Sequence, residues 1–487
     1  MLHIKTEVEC LVYLFDEKVG VATPEKYFNL EVRKGEQELL FVRTSDRTMR
    51  YSLLYQVEES DSDYRIIISE SLFDTVTAVS DQMLFQAIQD EFGAVYSRDG
   101  LCLISGCDNT EYVVKSTCKV ICDRAFSDCN SIKTIILPNG LTHIGKSAFS
   151  DCWNLCNIEL PESLLFIGQN AFYMCLGLSH LTIPRKIEYL GNGFVDKHNN
   201  HNLRIECNSI NYKIKDGCLI DTIENRLVAY LYNHSYGELA VLPMGLKTIG
   251  DGAFSNCQEL IAVTLPDSLE SIGDYAFMQC NRLTSIKLPS GLTKIGDYAF
   301  ANCKELSDII FPENLACIGD YSFMGCSFSQ IVIPQSLKHI GEAAFAFTKI
   351  KTVICNSPYF QYIDNCLIDK KDMRLVACFS DNSEIRLPSG IAKIGDVAFS
   401  DSKVNSVVLP EGLISIGVRS FSYCENLSLI ELPRSLSYIG VSAFVGEIHE
   451  GGSVREPISR IYIPKGMMQH FEKLLPDFRS KLYEIET

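Results

Sequence analysis

A phenylalanine that recurs every 22 or 23 residues constrains the fold of this chain more than any other feature. Between residues 254 and 323 the step is 23 three times, and the surrounding sequence repeats with it, as in LESIGDYAFMQC and LTKIGDYAF. A repeat this short cannot bury its apolar face alone, so each copy must pack against the copies before and after it. The sequence therefore predicts a solenoid with a linear core. The repeat phenylalanines are Phe126, Phe149, Phe172, Phe194, Phe254, Phe277, Phe300, Phe323, Phe345, Phe399, Phe421 and Phe444.

Each regular repeat divides into two extended pieces and a turn. The segment SIKLP alternates inward and outward residues around Ile286, and Pro289 ends the strand because proline cannot donate to the ladder. Twelve of the 16 prolines stand at this position. The second piece ends at Ile295, and Gly296 suits a tight bend or a positive φ. Asp297 is expected to cap a short helical turn that carries the phenylalanine.

Two longer gaps between phenylalanines contain a second kind of repeat. Residues 207–209 and 216–221 (CNS, DGCLID) parallel residues 355–357 and 364–369 (CNS, DNCLID), and residues 96–104 (YSRDGLCLI) form a partial third copy. The chain thus alternates irregular coils with groups of regular ones.

The phrase LPxxLxxIGxxAFxxCxxLxxIxLP resembles the BspA-type leucine-rich repeat family over residues 96–465. The resemblance implies a right-handed solenoid that binds proteins or surface ligands, often on secreted bacterial proteins. We expect a mainly β solenoid with short helical turns over residues 96–455. Residues 456–487 resemble the closing strand and amphipathic helix of the family, the helix running from Met467 to Phe478.

The first 95 residues lack the repeat. Five candidate strands within residues 10–69, separated by turn signals, predict a small antiparallel β-sandwich over residues 1–70. The order Asp16, Val19-Gly20, Thr23-Pro24 and Gly35 resembles PEGA-type β domains, which implies an accessory binding or spacer module. Residues 71–95 are expected to be a linker or a capping helix that begins at Asp81.

Charge and hydropathy restrict the partners and the compartment. A net charge of −17 argues against nucleic acid and against anionic membrane surfaces. No run approaches 18 apolar residues, which argues against membrane insertion. The N-terminal segment lacks the basic region and cleavage site of a secretion signal, so we expect a cytoplasmic protein. The alternative is a cell-surface or secreted protein.

Eight of the 20 cysteines occupy one repeat position, three residues after the phenylalanine. Equivalent positions in a stack give no basis for choosing pairs, so we expect buried thiols in a reducing compartment. These cysteines are Cys129, Cys152, Cys175, Cys257, Cys280, Cys303, Cys326 and Cys424.

No pattern in the sequence indicates catalysis, a metal or a cofactor. We find no GxSxG, P-loop, HExxH or dinucleotide fingerprint, which favours a non-enzymatic protein. His198 and His201 have metal-ligand spacing but lie in an asparagine-rich stretch that is typical of an exposed loop. The repeated aspartates, among them Asp274 and Asp297, supply one carboxylate per coil, as a cap would, and too few for cation sites.

The outward position of the first strand gives the candidate binding surface. A solvated face should be polar, yet six of its thirteen residues are Ile or Val. Either β propensity explains them, or they form an apolar stripe on the concave face that binds a protein partner. The less favoured functions are a surface adhesin for host or matrix ligands, and a carbohydrate-binding protein or enzyme using loops near His198 or Tyr359-Phe360. The candidate residues are Ile136, Val241, Lys287, Ile310, Val332, Ile354, Arg386, Val408, Glu431 and Tyr462; Glu159, Thr182 and Thr264 complete the column.

Overall fold

The computed structural model describes residues 77–195, 200, 203–231, 238–380, 382–399, 401–445 and 458–486, together with eight strands between residues 2 and 75. The chain divides into two compact units, residues 1–213 and 214–487. Each unit is described by itself below. The predicted solenoid is confirmed in both.

The eight N-terminal strands form two sheets. The strand Leu2–Thr6 runs antiparallel to Phe28–Leu30 but parallel to Tyr64–Ile68, so the first sheet is mixed where the sequence predicted antiparallel strands. The second sheet is antiparallel and pairs Glu17–Ala22, Cys10–Leu14, Gly35–Arg43, Met49–Val57 and Asp74–Thr75 in that order. Asp16 and Thr23-Pro24 of the PEGA resemblance lie outside the described residues, and the β-sandwich stays a prediction.

A hairpin precedes the first coil, where the sequence predicted a linker or a capping helix. The helix Asp81–Phe85 has only five residues, and the strands Ile88–Gln89 and Val95–Tyr96 follow it. The Asp90 carboxylate accepts hydrogen bonds from the backbone N–H groups of Phe92 and Ala94, both at 2.9 Å, and so fixes the turn. This local bonding competes with helix formation. Met83 packs against buried Val120 and Cys122, so the short helix still covers part of the first coil.

The solenoid coils form two kinds of sheet, in which successive coils pair in parallel while the hairpins before the first coil and in the irregular coils pair antiparallel. The first kind, here called the proline sheet, ends most of its strands just before or at the repeat proline. In residues 1–213 its strands are Glu111–Val113, Thr134–Ile136, Asn157–Ile158, His180–Ile183 and Arg204–Cys207. In residues 214–487 they are Leu239–Val241, Ala262–Thr264, Ser285–Ile286, Asp308–Ile309, Gln330–Ile333, Thr352–Cys355, Glu384–Arg386, Ser406–Val408, Leu429–Glu431, Arg460–Pro464 and Leu482–Ile485.

The second kind, the glycine sheet, precedes the repeat glycine. In the first unit it contains Ile88–Gln89, Val95–Tyr96, Cys102–Ser105, Val120–Ile121, His143–Ile144, Phe166–Ile167 and Tyr189–Leu190. The boundary between the two units falls within the strand Tyr212–Lys215. In the second unit the glycine sheet contains Cys218–Asp221, Arg226–Tyr230, Thr248–Ile249, Ser271–Ile272, Lys294–Ile295, Cys317–Ile318, His339–Ile340, Phe360–Ile363, Cys366–Asp369, Arg374–Cys378, Lys393–Ile394, Ser415–Ile416 and Tyr438–Ile439.

The phenylalanine column is the centre of the core. Phe300 is fully buried, and its ring stacks on Phe277 at 5.1 Å and on Phe323 at 5.3 Å. The column cysteine lies beside it: the Cys303 thiol donates to the carbonyl oxygen of Phe277 at 3.1 Å, one coil back. The predicted inward residues, such as Ile295, are buried as well. Each coil therefore completes its packing only on its neighbours.

The repeat aspartates link successive coils rather than cap a helix, which corrects the sequence prediction. The Asp297 carboxylate accepts from the backbone N–H of Asp320, one coil later, at 2.8 Å, and Asp274 does the same for Asp297 at 2.9 Å. The segment after the glycine is a series of turns in which Tyr298 has φ +53°, so no helix forms. Gly296 is required by close approach, since an added Cβ would meet the carboxylate and backbone nitrogen of Asp274.

Irregular coils and the C-terminus modify this pattern. At the second irregular coil Glu342 replaces the aspartate, and its longer side chain reaches the backbone N–H of Asp396 at 2.9 Å.

The closing helix, Met468–Leu474, ends earlier than predicted because Pro476 follows, and a 3-10 helix, Pro476–Lys481, leads to a final strand. That strand, Leu482–Ile485, pairs in parallel with Arg460–Pro464 and is the edge of the proline sheet.

Candidate functional site

The candidate surface is the outward face of the proline sheet. Parallel pairing places equivalent residues of successive coils side by side: Val241 beside Thr264, Val332 beside Ile354, and Arg386 beside Val408. Their chain neighbours point inward and are buried, as alternation along a strand requires. The structure therefore brings several predicted residues into register.

Seven of the ten predicted residues are exposed. Ile310 exposes 74% of its surface, Val241 65% and Ile136 56%, the last in the first unit. Lys287, Ile354, Arg386 and Val408 are also exposed, while Val332, Glu431 and Tyr462 are half-buried. The three large values matter because a fully buried Ile or Val is worth about 1.5–3 kcal/mol relative to an exposed one. A partner that buries these side chains would gain this free energy on binding.

The apolar residues form short patches rather than one stripe. Thr264 and Lys287 interrupt the column between Val241 and Ile310. Ile310, Val332 and Ile354 occupy three successive coils, and Val332 and Ile354 are direct partners across two strands. Each patch would bury at most three apolar side chains, so recognition needs several coils together.

The last coils present a polar and aromatic surface. Glu431 lies beside Tyr462, and Tyr462 beside Tyr483 of the final strand, with ring centroids 6.2 Å apart. The Arg460 guanidinium lies 6.0 Å from the Tyr483 ring. Tyrosine and arginine are the residue types that most often dominate protein interfaces.

Sequence reasoning missed two members of the face. Val113 exposes 62% of its surface and pairs with Ile136, but its strand lies in the partial first coil and is not followed by the repeat proline. Tyr483 was missed because its strand is short and lies after the predicted closing helix, where no strand was expected. The alternation in EYV would have identified Val113.

A second aromatic row lies at the turns of the second unit. Tyr275, Tyr298 and Tyr321 stack at 5.0 and 4.8 Å, and Tyr275 is exposed. All three have positive φ, so the row follows from the turn geometry of the repeat. Nothing in the spacing of the phenylalanines indicated it.

The other chemical candidates are the histidine pair and the pair Tyr359-Phe360. His198 and His201 lie outside the described residues. Within the described part of the chain, no group of three His, Cys, Asp or Glu side chains is arranged to hold a metal ion. Phe360 is buried, so the pair Tyr359-Phe360 offers a single exposed ring and no stacking platform for a sugar. Among the described residues, no helix combines the length and apolarity needed to cross a bilayer.

Burial makes the column thiols poor nucleophiles. Removal from water disfavours the thiolate and raises the pKa of Cys152 and Cys424 to about 12. It raises the pKa of Cys303 well above its usual range. Each of these thiols also donates to a phenylalanine carbonyl of the preceding coil, so their role is structural.

These features define a parallel β-solenoid of the leucine-rich class. The sequence pattern described as "BspA type Leucine rich repeat region (6 copies)" matches residues 103–222, 226–351 and 376–462, which is more than half of the chain. The chain belongs to the BspA-type leucine-rich repeat family.

Three solved structures of bacterial proteins are similar to this chain. A leucine-rich repeat protein from Bacteroides ovatus is 24% identical, with 82% of this chain and 97% of that chain covered and a TM-score of 0.35. A leucine rich cell surface protein from Faecalibacterium prausnitzii is 19% identical, with coverages of 85% and 95% and a TM-score of 0.39. The pneumococcal vaccine antigen PcpA is 14% identical, with coverages of 82% and 98% and a TM-score of 0.31. A search of curated proteins found no match.

Proposed function

We propose that this protein is a non-enzymatic scaffold that binds a protein partner through the outward face of its proline sheet. The observation that carries the proposal is the exposure of Ile310, Val241 and Ile354 at a position where a solvated strand would carry polar residues. The membership of a repeat family supports a binding role, because stacked coils present extended surfaces. The contacts that specify a partner would extend to Tyr462, Tyr483 and Arg460 of the last coils.

Pre-organisation explains how short patches could suffice. Each outward side chain lies on or directly after a strand whose inward residue is packed in the core, so little conformational entropy is lost on association. A partner that buries Ile310 gains about 2 kcal/mol from that side chain. The polar residues between the patches, such as Lys287, then add selectivity.

The test is a binding titration of the isolated partner with matched variants. Ile310→Asp places a charge in the proposed interface and should weaken binding by at least about 30-fold, the equivalent of about 2 kcal/mol. Ile414→Asp is the control, because Ile414 is another exposed isoleucine of the same unit (51% exposed) that lies beside a strand of the glycine sheet. Equal affinity of the Ile310→Asp variant and the parent protein would refute the proposal.

We propose that the protein functions in the cytoplasm. Support comes from the buried thiols, which act as hydrogen-bond donors in the core and would have to give up these bonds to form disulfides. Fractionation of the native protein, with titration of its thiols after denaturation without reductant, tests the proposal. Recovery of the protein at the cell surface or in the medium, with few free thiols, would instead support the adhesin alternative.

A further inference from the structure

The second irregular coil leaves a cavity where the first irregular coil has an aromatic ring. The strands Arg226–Tyr230 and Arg374–Cys378 (RLVAY and RLVAC) are equivalent: Tyr230 N–H donates to Ala253, and Cys378 N–H to Ala398, both at 2.9 Å. The Tyr230 ring stacks on the next column phenylalanine, Phe254, at 4.7 Å. Cys378 has no ring to place there. A cavity of about 350 Å³ lies at this point, and Cys378 is part of its wall.

A second cysteine lies directly opposite Cys378. Cys366 is its partner across the antiparallel hairpin, and the two sulfur atoms are 3.8 Å apart. The Cys378 N–H bonds to the next coil and the Phe379 N–H bonds to Asn365, so the cysteines form a non-hydrogen-bonded pair. The Cα atoms of such a pair lie about 4.5 Å apart, which is within the range that a disulfide can bridge.

The two thiols differ in acidity and in access. The Cys366 S–H donates to the Cys378 sulfur, and this hydrogen bond lowers the pKa of Cys378 and raises that of Cys366. Cys378 borders the cavity, whereas Cys366 is fully buried. Cys378 is therefore the thiol that can attack, and Cys366 the one that can resolve.

The cavity also offers positive charge. Lys349, Lys351 and Lys403 line it and have exposed side chains, against one carboxylate, Asp401. Three lysines among the lining residues stand out in a chain whose net charge is −17. They would attract a small anionic molecule.

We propose that this cavity is a thiol–disulfide exchange site that takes a small anionic disulfide such as oxidised glutathione. The Cys378 thiolate attacks one sulfur of the disulfide, forms a mixed disulfide and releases one thiolate, which takes up the proton that Cys378 lost. Cys366 then attacks the Cys378 sulfur and expels the second thiolate, which takes up the proton that Cys366 loses. Two electrons pass to the small disulfide, which leaves as two thiols, and the protein gains a Cys366–Cys378 disulfide.

The test is oxidation of the reduced full chain with oxidised glutathione, followed by peptide mapping without reductant. We expect a cross-linked peptide pair that joins Cys366 to Cys378 and has lost two hydrogens. Cys218 is the matched control, since it holds the Cys366 position in the first hairpin but faces Tyr230, and burial raises its pKa to about 12. Cys218 should stay unmodified. Reduced Cys366 and Cys378 in a sample whose other thiols have reacted would overturn the proposal.

One variant separates the chemistry from a folding defect. Cys366→Ser removes the resolving thiol, so glutathione should stay attached to Cys378 as a stable mixed disulfide. Absence of this adduct in a variant with the parent's circular dichroism spectrum would overturn the assignment of Cys378 as the attacking thiol.

The lysines are tested by the charge of the oxidant. Oxidised glutathione should react about tenfold faster than the cationic disulfide cystamine, once intrinsic rates are measured on free cysteine. The Lys349→Gln/Lys403→Gln variant should remove this preference. Equal rates for oxidised glutathione and cystamine in the parent protein would overturn the proposal that the cavity selects anionic disulfides.

Discussion

Removal of one column phenylalanine is expected to destabilise the second unit strongly. Phe300 is fully buried between Phe277 and Phe323, with ring centroids 5.1 and 5.3 Å away. Phe→Ala substitutions in cores cost about 3–5 kcal/mol. Here the upper end applies, because backbone hydrogen bonds of 2.7 Å on both sides of the coil, from Phe277 to Ala299 and from Phe300 to Ser322, keep the neighbours from collapsing.

The assay is urea denaturation followed by circular dichroism, with the free energy of unfolding obtained by linear extrapolation. We expect Phe300→Ala to lose about 5 kcal/mol, or to split the transition into two, since a solenoid coil is held only by its neighbours. The control is Phe347→Ala, at a ring that is 38% exposed and lies outside the column. A loss below about 2 kcal/mol for Phe300→Ala would refute the argument that stacking across rigid coils stabilises this core.

Three further predictions concern the links between coils and one reactive thiol. Asp297→Ala removes the acceptor of the Asp320 N–H and should cost about 1–3 kcal/mol in the same denaturation assay, with Asp297→Asn recovering part of the loss. Gly319→Ala should cost a similar amount, because the new methyl would overlap the Asp297 backbone nitrogen at 2.6 Å; stability equal to the parent protein would contradict this contact. The hydrogen bond from Cys122 lowers the pKa of Cys102 to about 7, so its alkylation rate should rise as the pH passes through 7 and level off above it; a rise only near pH 9 would contradict this.

The solenoid could be predicted from the sequence because the repeat spacing determines which residues contact one another. Residues at one repeat position pack on the same position of the next coil, so the burial of Phe300, Cys303 and Ile295 follows from spacing alone. The same regularity identified the outward column, since alternation in a strand fixes which residues face solvent. Whether that column binds a partner is a separate property, which periodicity does not encode.

The predictions that were wrong or incomplete concern hydrogen bonds and packing contacts that the repeat spacing does not show. The carboxylate of Asp297 has the sequence context of a helix cap, but its acceptor role is toward Asp320, 23 residues later. Likewise, Cys378 becomes distinctive only when its strand is set beside Arg226–Tyr230, where a tyrosine fills the space. The helix predicted from Asp81 stopped at Phe85 because the Asp90 side chain bonds to nearby backbone, a local competition that hydrophobic periodicity does not show.

The most direct test of the proposed binding face is site-specific photo-crosslinking in the source cells. A photoreactive amino acid is placed at Ile310, on the outward face of the proline sheet, or at Ile414, beside the glycine sheet. If this face binds a protein partner, we expect a discrete protein adduct from position 310 and none of the same mass from position 414. No adduct at position 310, or the same adduct from both positions, would contradict binding through this face.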